Sequence, residues 1–363
     1  MKNLINKKVR KELAINREWY SIRSLLGNSW AIFFFMLGSR ERGKSYATME
    51  FFIRQFKKYG RPFYWLRLTE ESQRRLLQNN AEKLIDPDLR RKYYLDIVTN
   101  GSNVYHVTKR SKADENGKTK ILEKVLIGRV LALSTFYADK GSGIYDKDFL
   151  DNKLMFYNIC LDEMNREKNE RRSFDIVYAF TNQLENLVRS TKKRVRVLCI
   201  GNTLEEASDI LCAFDFIPEE FGRFKLKKKR AVIDYIQDGK GYKERRKGTI
   251  ADILMPTAST FTNKVTTDTT LIIKKGLTKP MSIIKFSKDK KDWFTLWDHG
   301  VINQYNKENI KHVIPMLPYL DEVFNVQERN SVFEVFDTRG YKFKNLITFK
   351  TFQKNLELLR PRR

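Results

Sequence analysis

The sequence predicts an α/β protein in which a mostly parallel sheet carries helices on both faces, followed by a linker and a small α+β domain. The first observation is a continuous apolar run, Trp30–Leu37, which is typical of a strand buried on both faces. A glycine-rich loop follows, and apolar residues with helical spacing then predict an amphipathic helix that ends near Gly60. Two later apolar runs also end in polar residues, which indicates further parallel strands with functional groups at their ends.

The glycine-rich loop is the most specific signal, because it fits the phosphate-binding pattern G-x-x-x-x-G-K-[ST]. Backbone N–H groups of such a loop, and of the helix after it, surround the phosphates of a nucleotide. We expect the Lys44 ammonium to contact the β- and γ-phosphates and the Ser45 hydroxyl to bind Mg²⁺. The sequence therefore predicts ATP and Mg²⁺ as ligands, with a nucleotide-binding set of Gly38, Ser39, Arg40, Glu41, Arg42, Gly43, Lys44, Ser45 and Tyr46.

A second apolar run, Met155–Leu161, ends in two acids, as a Walker B strand does. Adjacent acids at the end of a buried strand are costly unless a cation or a proton transfer uses them. We expect Asp162 to hold Mg²⁺ through a water molecule and Glu163 to act as the general base that polarises the attacking water. The alternative is an ordinary acidic loop after a core strand.

A third apolar strand, Val195–Ile200, leads into Asn202. A polar residue at the end of the strand beside Walker B fits the sensor of additional-strand (ASCE) ATPases. Asn202 is therefore expected to read the γ-phosphate or to orient the lytic water. The three motifs in this order predict a P-loop ASCE ATPase domain over residues 26–205, with Lys44 and Glu163 among its catalytic residues.

The basic segment between the second and third strands contains candidates for an arginine that acts on a neighbouring subunit. A predicted helix, Ile176–Val188, runs into this segment, which spans Arg189–Arg194. Ring ATPases often place here an arginine that stabilises transition-state charge in the adjacent site. Arg189 is the first candidate for this catalytic role and Arg194 the second. A solvated surface position is the alternative for both.

The net charge favours a polyanionic partner. The 363 residues include 70 Lys and Arg against 44 Asp and Glu, which gives a formal net charge of +26. Nucleic acid is the natural partner, because Lys and Arg contacts to phosphate release condensed counterions; a solvated basic surface is the alternative. No membrane partner is predicted, since the longest apolar run is far below the roughly 20 residues of a spanning helix. The scattered cysteines predict reduced, buried thiols: Cys160, Cys199 and Cys212.

Three further segments define the organisation of the chain. Residues 1–25 are predicted to form a charged helical lead-in. The insertion Gly101–Asp151 contains a charged stretch, Lys109–Lys120, that is predicted to be an exposed hairpin or loop, either in contact with DNA or simply at the surface. The very basic stretch Arg223–Lys247 predicts a linker over residues 206–250, which either touches phosphate or is only solvated. Within it, Ile233–Ile236 and Gly239–Tyr242 suggest a hairpin with a glycine turn.

These motifs resemble those of the DNA-packaging ATPases of phi29-type tailed bacteriophages, which are terminase large-subunit-like motors. The resemblance covers roughly residues 25–205. It rests on Gly43–Ala47, Phe63–Arg67, the Asp-Glu-x-x-Arg-Glu-Lys run Asp162–Lys168, and Val188–Arg189 ahead of Arg194–Arg196 and Cys199–Asn202. The family arginine at the position of Arg189 acts in trans, which favours Arg189. The spacer to Arg194 is slightly longer than usual, so both arginines stay candidates.

The resemblance implies a homomeric ring, expected to be a pentamer, that translocates double-stranded DNA into a viral procapsid. It also implies a portal or procapsid partner, and a location in the host cytoplasm with a transient stay at the portal vertex. Relatives bind a structural packaging RNA, which makes such an RNA a further candidate partner. They also carry a C-terminal RNase H-like domain that lacks the catalytic acids.

Residues 251–363 show the strands and helices that such a domain requires. The strands are expected at Thr270–Ile273, Met281–Phe286 and Trp293–Trp297, and the helices near Ser331–Phe336 and Phe349–Leu359. The nearest acids, Asp268, Asp298 and Asp337, show no spacing that is typical of a two-metal nuclease. We therefore expect a nuclease-dead domain that grips nucleic acid.

Three alternatives stay open. One is a terminase with an active nuclease domain. Another is a P-loop NTPase or kinase that acts on a small molecule, although that function does not explain a net charge of +26. The last is a basic binding protein whose phosphate-loop pattern is fortuitous, which predicts no ATP binding.

Overall fold

The computed structural model describes residues 19–139 except Asn116, 156–165, 174–188, 194–202, 208–218, 221–237, 279–310, 314–322 and 325–360, with a few positions between 241 and 277. The chain divides into two compact units. The first draws on residues 1–205 and 218–265, and the second on residues 206–217 and 266–363. Most of the predicted lead-in, up to residue 18, lies outside the described residues.

The first unit alternates strands and helices, as the sequence predicts. Its elements are α1 (Arg23–Leu26), β1 (Phe33–Gly38), α2 (Lys44–Tyr59), β2 (Phe63–Arg67), α3 (Glu70–Ala81), α4 (Pro87–Tyr93), β3 (Ile97–Asn100), β4 (Asn103–Arg110), β5 (Ile121–Ala132), β6 (Phe156–Asp162), α5 (Ile176–Val188), β7 (Arg194–Asn202), β8 (Gly222–Leu226) and β9 (Ala231–Tyr235). Helix α2 ends at Gly60 as predicted, because Gly60 adopts the left-handed conformation (φ 63°) and donates its N–H to the Phe56 carbonyl.

The strands of the first unit form one nine-stranded sheet in the order β3-β4-β5-β2-β6-β7-β1-β9-β8. The central strands from β5 to β9 run parallel, and β3, β4 and β8 pair antiparallel with their neighbours. Strand β7 lies between the strand before the phosphate-binding loop and the strand that ends in the two acids. This additional strand confirms the predicted ASCE arrangement.

The core of the first unit follows from the apolar runs. Strand β1 is buried at every position from Phe34 to Gly38, and all five residues of β2 are buried as well. Helix α2 covers this part of the sheet, where Phe52 stacks on Phe63 with ring centroids 5.5 Å apart. Strands buried on both faces read as continuous apolar runs, which is why the sequence identifies them.

The second unit is the small α+β domain that the sequence predicts. It contains α6 (Asp209–Ala213), β10 (Pro280–Lys285), β11 (Trp293–Trp297), β12 (Val301–Gln304), β13 (Met316–Tyr319), α7 (Val326–Asp337), β14 (Lys342–Phe343) and α8 (Leu346–Leu359). The strands form a mixed five-stranded sheet in the order β13-β10-β11-β12-β14. Phe352 of α8 is fully buried in its core and lies 5.0 Å from Phe286 and 5.1 Å from Phe294, measured between ring centroids.

The structure differs from the predicted linker over residues 206–250. Strands β8 and β9 fall inside that range, and β9 pairs in parallel with β1 from Ala231 to Tyr235. Only the turn between them, residues 227–230, is uniformly basic and exposed. The predicted strand at Ile233–Ile236 corresponds to β9, but β9 pairs with the preceding strand β8 and not with Gly239–Tyr242 as predicted.

The charged stretch of the insertion forms an exposed hairpin, as predicted. Strands β4 and β5 pair antiparallel as far as Arg110 and Ile121, and the turn between them is exposed. The cysteines are free thiols, with Cys160 and Cys199 fully buried. Burial raises the pKa of the Cys212 thiol to about 12. Within the described part of the chain, no helix is both long and apolar enough to cross a membrane.

Candidate nucleotide-binding site

The predicted site residues meet at the carboxyl edge of the central parallel strands. Gly38 ends β1, Asp162 ends β6 and Asn202 ends β7. The register aligns Gly38 with Asn202 across the β1–β7 pair. Ligands of open α/β sheets bind at this edge, in the crevice beyond the strand ends.

The phosphate-binding loop has the backbone that its glycine motif predicts. Gly43 adopts φ 71° directly before α2 begins at Lys44, and Glu41 adopts φ 60°. The Lys44 ammonium donates to the carbonyl oxygens of Gly38, at 2.8 Å, and Ser39, at 2.6 Å. Lys44 is 5 % exposed, so the loop closes around its ammonium group and holds it where the phosphates of a nucleotide are expected.

The remaining loop residues differ in their exposure. Arg42 is almost fully buried, Arg40 is half-buried, and Glu41 and Tyr46 are exposed. Tyr46 lies in the first turn of α2, directly after Ser45. Its exposed ring is free to meet a ligand that lies on this turn.

The two predicted magnesium ligands lie side by side. The Ser45 hydroxyl donates to Asp162 Oδ1 at 3.3 Å, across 117 residues of sequence. Mg²⁺ in nucleotide sites is usually held by one or two protein oxygens together with phosphates and water. A hydroxyl and a carboxylate in contact, at the start of a helix, fit this donor set. The described residues contain no cluster of three His, Cys, Asp or Glu side chains that could hold a metal ion.

Arg67 is a site residue that the sequence reasoning missed. It ends β2, beside β6, and its guanidinium donates to Asp162 Oδ2 at 2.9 Å and to a Glu163 carboxylate oxygen. The side chains of Arg67 and Asp162 are each 10 % exposed, whereas that of Glu163 is 56 % exposed. A basic residue at the end of an apolar strand was the signal that could have identified it.

Glu163 follows the strand in a sparsely populated backbone conformation, with φ 55°. A non-glycine residue with positive φ is uncommon and often marks a functional position. This conformation turns the Glu163 carboxylate out of the sheet toward Arg67. A carboxylate held in this way must leave the guanidinium before it can accept a proton from water.

Asn202, the predicted sensor, ends β7. It is half-buried beside Gly38, and its backbone carbonyl accepts a hydrogen bond from Asn165 Nδ2 at 3.3 Å. Its side-chain amide therefore lies at the same edge as the loop and the two acids.

A buried polar network connects the segment before α1 to the loop. The Tyr20 N–H donates to the Arg42 carbonyl at 2.9 Å, and the Tyr20 hydroxyl donates to Asp234 Oδ2 at 2.8 Å. Arg223 donates to both oxygens of Asp234, at 2.6 and 2.7 Å. Burial, together with the Asp234 charge, raises the pKa of Tyr20 well above its usual value. Strand β9 thus helps to hold the loop in place, and no local sequence pattern indicates this long-range contact.

Of the two candidate trans arginines, the structure describes only Arg194. Arg189 lies outside the described residues, directly after the end of α5 at Val188. Arg194 begins β7, at the strand end opposite Asn202, and its guanidinium lies 5.7 Å from the Phe156 ring centroid. Nine residues of strand span about 25 Å, so Arg194 is remote from the nucleotide edge of its own subunit.

The fold and the site define a P-loop nucleotide-binding protein of the additional-strand class. A family model described as Podovirus DNA encapsidation protein (Gp16) matches residues 16–300. The chain therefore belongs to this family, which confirms the resemblance to phi29-type packaging ATPases.

Relatives in sequence support this assignment. The DNA packaging protein of Bacillus phage phi29 is 24% identical over 195 residues, which make up 53% of this chain and 49% of that protein. The DNA packaging protein of Bacillus phage B103 is 24% identical over 218 residues, 59% of this chain and 57% of that protein. The chain spans about half the length of the relatives it matches.

Solved structures share the fold. A chain of the bacteriophage Phi-29 viral genome packaging motor assembly is similar with a TM-score of 0.62 at 18% identity, over 95% of this chain and 100% of that chain. The Phi-28 gp11 DNA packaging motor gives a TM-score of 0.59 at 14% identity, over 95% of this chain and 100% of that chain. Both likenesses extend through the two units.

Proposed function

We propose that this protein hydrolyses ATP at the carboxyl edge of its first sheet and uses the cycle to translocate double-stranded DNA into a viral procapsid. The observation that carries the proposal is the 3.3 Å contact between Ser45 and Asp162, which joins the phosphate-binding loop to the acid-bearing strand. The names of the relatives, DNA packaging proteins of Bacillus phages, support DNA as the substrate.

Each residue of the site has a defined task in this chemistry. The Lys44 ammonium leaves the Gly38 and Ser39 carbonyls and binds the β- and γ-phosphates. Ser45 and Asp162 would hold Mg²⁺, which would supply positive charge to the phosphate oxygens. Glu163 takes a proton from the attacking water, and Asn202 orients that water or reads the γ-phosphate.

Arg67 sets the resting state of the two acids. Its guanidinium neutralises Asp162 and occupies Glu163, so the base is unavailable while this contact persists. Asp162 would hold Mg²⁺ in place of the Arg67 guanidinium, so the contact with Arg67 would weaken and Glu163 would become available. ATP hydrolysis is thereby limited to subunits in which Asp162 and Glu163 have left Arg67.

A homomeric ring, expected to be a pentamer, completes the site. Arg189, after the end of α5, is proposed to enter the neighbouring subunit's site and to stabilise the transferred phosphoryl group. Arg194 is the second candidate, and its distance from its own nucleotide edge is compatible only with action in trans. The assembly named for one structural neighbour, a viral genome packaging motor, supports a multi-subunit arrangement.

The second unit is proposed to grip nucleic acid without cutting it. Asp337 pairs with Arg360, Asp298 lies 3.9 Å from the His299 ring, and Asp268 lies outside the described residues. Among the described residues, no group of three His, Cys, Asp or Glu side chains could hold a metal ion. An active terminase nuclease is the rival function; the full chain would then linearise plasmid DNA in the presence of Mn²⁺. The further partners are a portal or procapsid and a structural packaging RNA, met in the host cytoplasm and then at the portal vertex.

The test of this proposal is steady-state ATP hydrolysis by the full chain at high protein concentration. We expect Glu163→Gln to bind ATP with near wild-type affinity and to lose about 10²–10⁴-fold in hydrolysis rate. Glu70→Gln, in an exposed pair with Arg74, is the matched control and should keep the wild-type rate. Unchanged hydrolysis by Glu163→Gln would refute the assigned site.

The ring is tested by mixing subunits. Added Arg189→Ala subunits should lower the rate of ATP hydrolysis more steeply than dilution of wild-type subunits alone. Each defective subunit would inactivate the site of a neighbour. A strictly proportional decrease would contradict action in trans by Arg189, and the same titration with Arg194→Ala tests the second candidate.

A further inference from the structure

The β4–β5 hairpin continues well beyond the sheet to which it belongs. Strand β5 pairs with β2 only from Gly128 to Ala132, and β3 pairs with β4 only as far as His106. Residues 107–125 are called the ribbon arm from here on, and those of them that the structure describes form a two-stranded ribbon with no third strand beside it among the described strands. Its eight-residue side from Lys118 to Val125 is about 25 Å long at about 3.3 Å per residue.

Hydrogen bonds between the two sides of the ribbon arm continue toward its tip. The Ser111 N–H donates to the Lys120 carbonyl at 2.8 Å, and the Asp114 N–H donates to the Lys118 carbonyl at 2.9 Å. Near its base, Arg110 donates to Asp96 Oδ1 at 3.0 Å. A two-stranded ribbon is only marginally stable by itself. Because these hydrogen bonds form the ribbon arm without a partner, it is suited to binding one.

The surface of the ribbon arm combines positive charge with exposed apolar side chains. Six basic residues face three acidic ones in this segment. Ile121, Leu122 and Val125 are 41 %, 56 % and 46 % exposed. Three of the basic groups are engaged: Lys109 with Glu123, Arg110 with Asp96, and Lys124 over the Tyr105 ring.

The other three basic groups lie at the tip. Lys112, Lys118 and Lys120 are exposed, and their ammonium groups have no ion-pair partner within the described ranges. Three unneutralised lysines on one narrow projection attract a polyanion.

We propose that the ribbon arm inserts into the major groove of duplex DNA, with Lys112, Lys118 and Lys120 on the flanking phosphates. The major groove, about 12 Å wide, admits a two-stranded β-ribbon. Ile121 and Leu122 then meet the groove walls, and the lysines follow the backbone without reading sequence. The proposal rests on the proposed function, because it names where the translocated duplex is held.

Charge distinguishes DNA from the other obvious occupant, a second copy of this chain. A second copy carries the same formal net charge of +26 and therefore repels the three lysines. The apolar side chains are also few and separated by charged ones, which does not suit a subunit interface.

The experiment is a titration of a fluorescent duplex with the full chain, measured by anisotropy at several salt concentrations. The variant is Lys112→Ala with Lys118→Ala and Lys120→Ala. The control removes three exposed lysines elsewhere in the same unit, by Lys57→Ala with Lys58→Ala and Lys83→Ala. We expect the slope of log Kobs against log salt to fall by about 3 in the variant, since each lost phosphate contact removes about 0.9. The control should keep a slope closer to that of wild type.

The readouts separate this proposal from the proposed function. Equal slopes and affinities for the variant and the control would overturn the ribbon-arm proposal, even if DNA still stimulates ATP hydrolysis. A selective loss in the variant supports the ribbon arm even if hydrolysis proves indifferent to DNA, in which case the motor function fails instead. A change in sedimentation with unchanged DNA binding would make the ribbon arm a subunit contact and overturn the proposal. Basal hydrolysis without DNA should be equal in wild type, the variant and the control, which would show that all three are folded.

Discussion

At the scale of single residues, the carboxyl edge of the first sheet places one guanidinium between two acids. Arg67 contacts both Asp162 and Glu163. Removing one member of a buried ion pair leaves the other charged and desolvated, which is more costly than losing an exposed pair. Arg67 therefore acts on both the stability of the site and the availability of its base.

Substitution of Arg67 should make the stability of the protein depend more strongly on the Mg²⁺ concentration. We expect Arg67→Ala to lower the free energy of unfolding by about 3 kcal/mol, because Asp162 loses its buried cation. Added Mg²⁺ should raise the melting temperature of this variant more than that of wild type, since the ion restores a positive charge beside Asp162. Thermal melting with and without Mg²⁺ measures both effects.

Arg74→Ala provides the control, because Arg74 belongs to an exposed pair with Glu70 that is worth less than about 1 kcal/mol. An equal response to Mg²⁺ in Arg67→Ala and in wild type would show that Asp162 is not a magnesium ligand.

At the scale of elements, local sequence patterns predicted those parts of the site that consist of consecutive residues. The loop, the acid pair and Asn202 each follow an apolar run, and parallel strands then bring them to one edge. The partners of Arg67 and Tyr20 lie 95 and 214 positions away, and no local pattern records such pairings. The predicted hairpin included most of β9, but its partner strand β8 precedes the basic turn, and the pairing of β9 with the distant β1 has no local pattern.

The network of Asp234 tests whether β9 supports the loop. We expect Asp234→Asn to lower the free energy of unfolding by about 3 kcal/mol, because Arg223 stays buried without its carboxylate. The affinity for ATP should fall as well, since Tyr20 would lose the anchor that holds it against the Arg42 carbonyl. Chemical denaturation and nucleotide titration measure these two effects.

Glu70→Gln serves as the comparison, because it neutralises an exposed carboxylate and should change stability by less than about 0.5 kcal/mol. Unaltered ATP affinity in a destabilised Asp234→Asn protein would make the network purely structural.

At the scale of the whole molecule, one chain combines a nucleotide site, a projecting basic ribbon and a second α+β unit. The formal net charge of +26 opposes self-association in the absence of a polyanion, and binding of the proposed DNA partner would remove this barrier by neutralising lysines and arginines. Ring formation, DNA binding and hydrolysis are therefore expected to depend on one another. Sequence composition predicts a polyanionic partner but not its binding surface, because lysines are spread along the entire chain. The contacts proposed on the ribbon arm depend on the fold.

The measurement that tests the central claim most directly is the rate of ATP hydrolysis by the full chain with and without duplex DNA. It should be made at low and high salt and at protein concentrations that favour assembly. We predict that duplex DNA raises the rate severalfold at low salt, that high salt removes the increase, and that Glu163→Gln remains inactive throughout. A wild-type rate that is the same with and without DNA at every salt and protein concentration would contradict the account, and would point instead to a phosphoryl transfer that serves a small molecule.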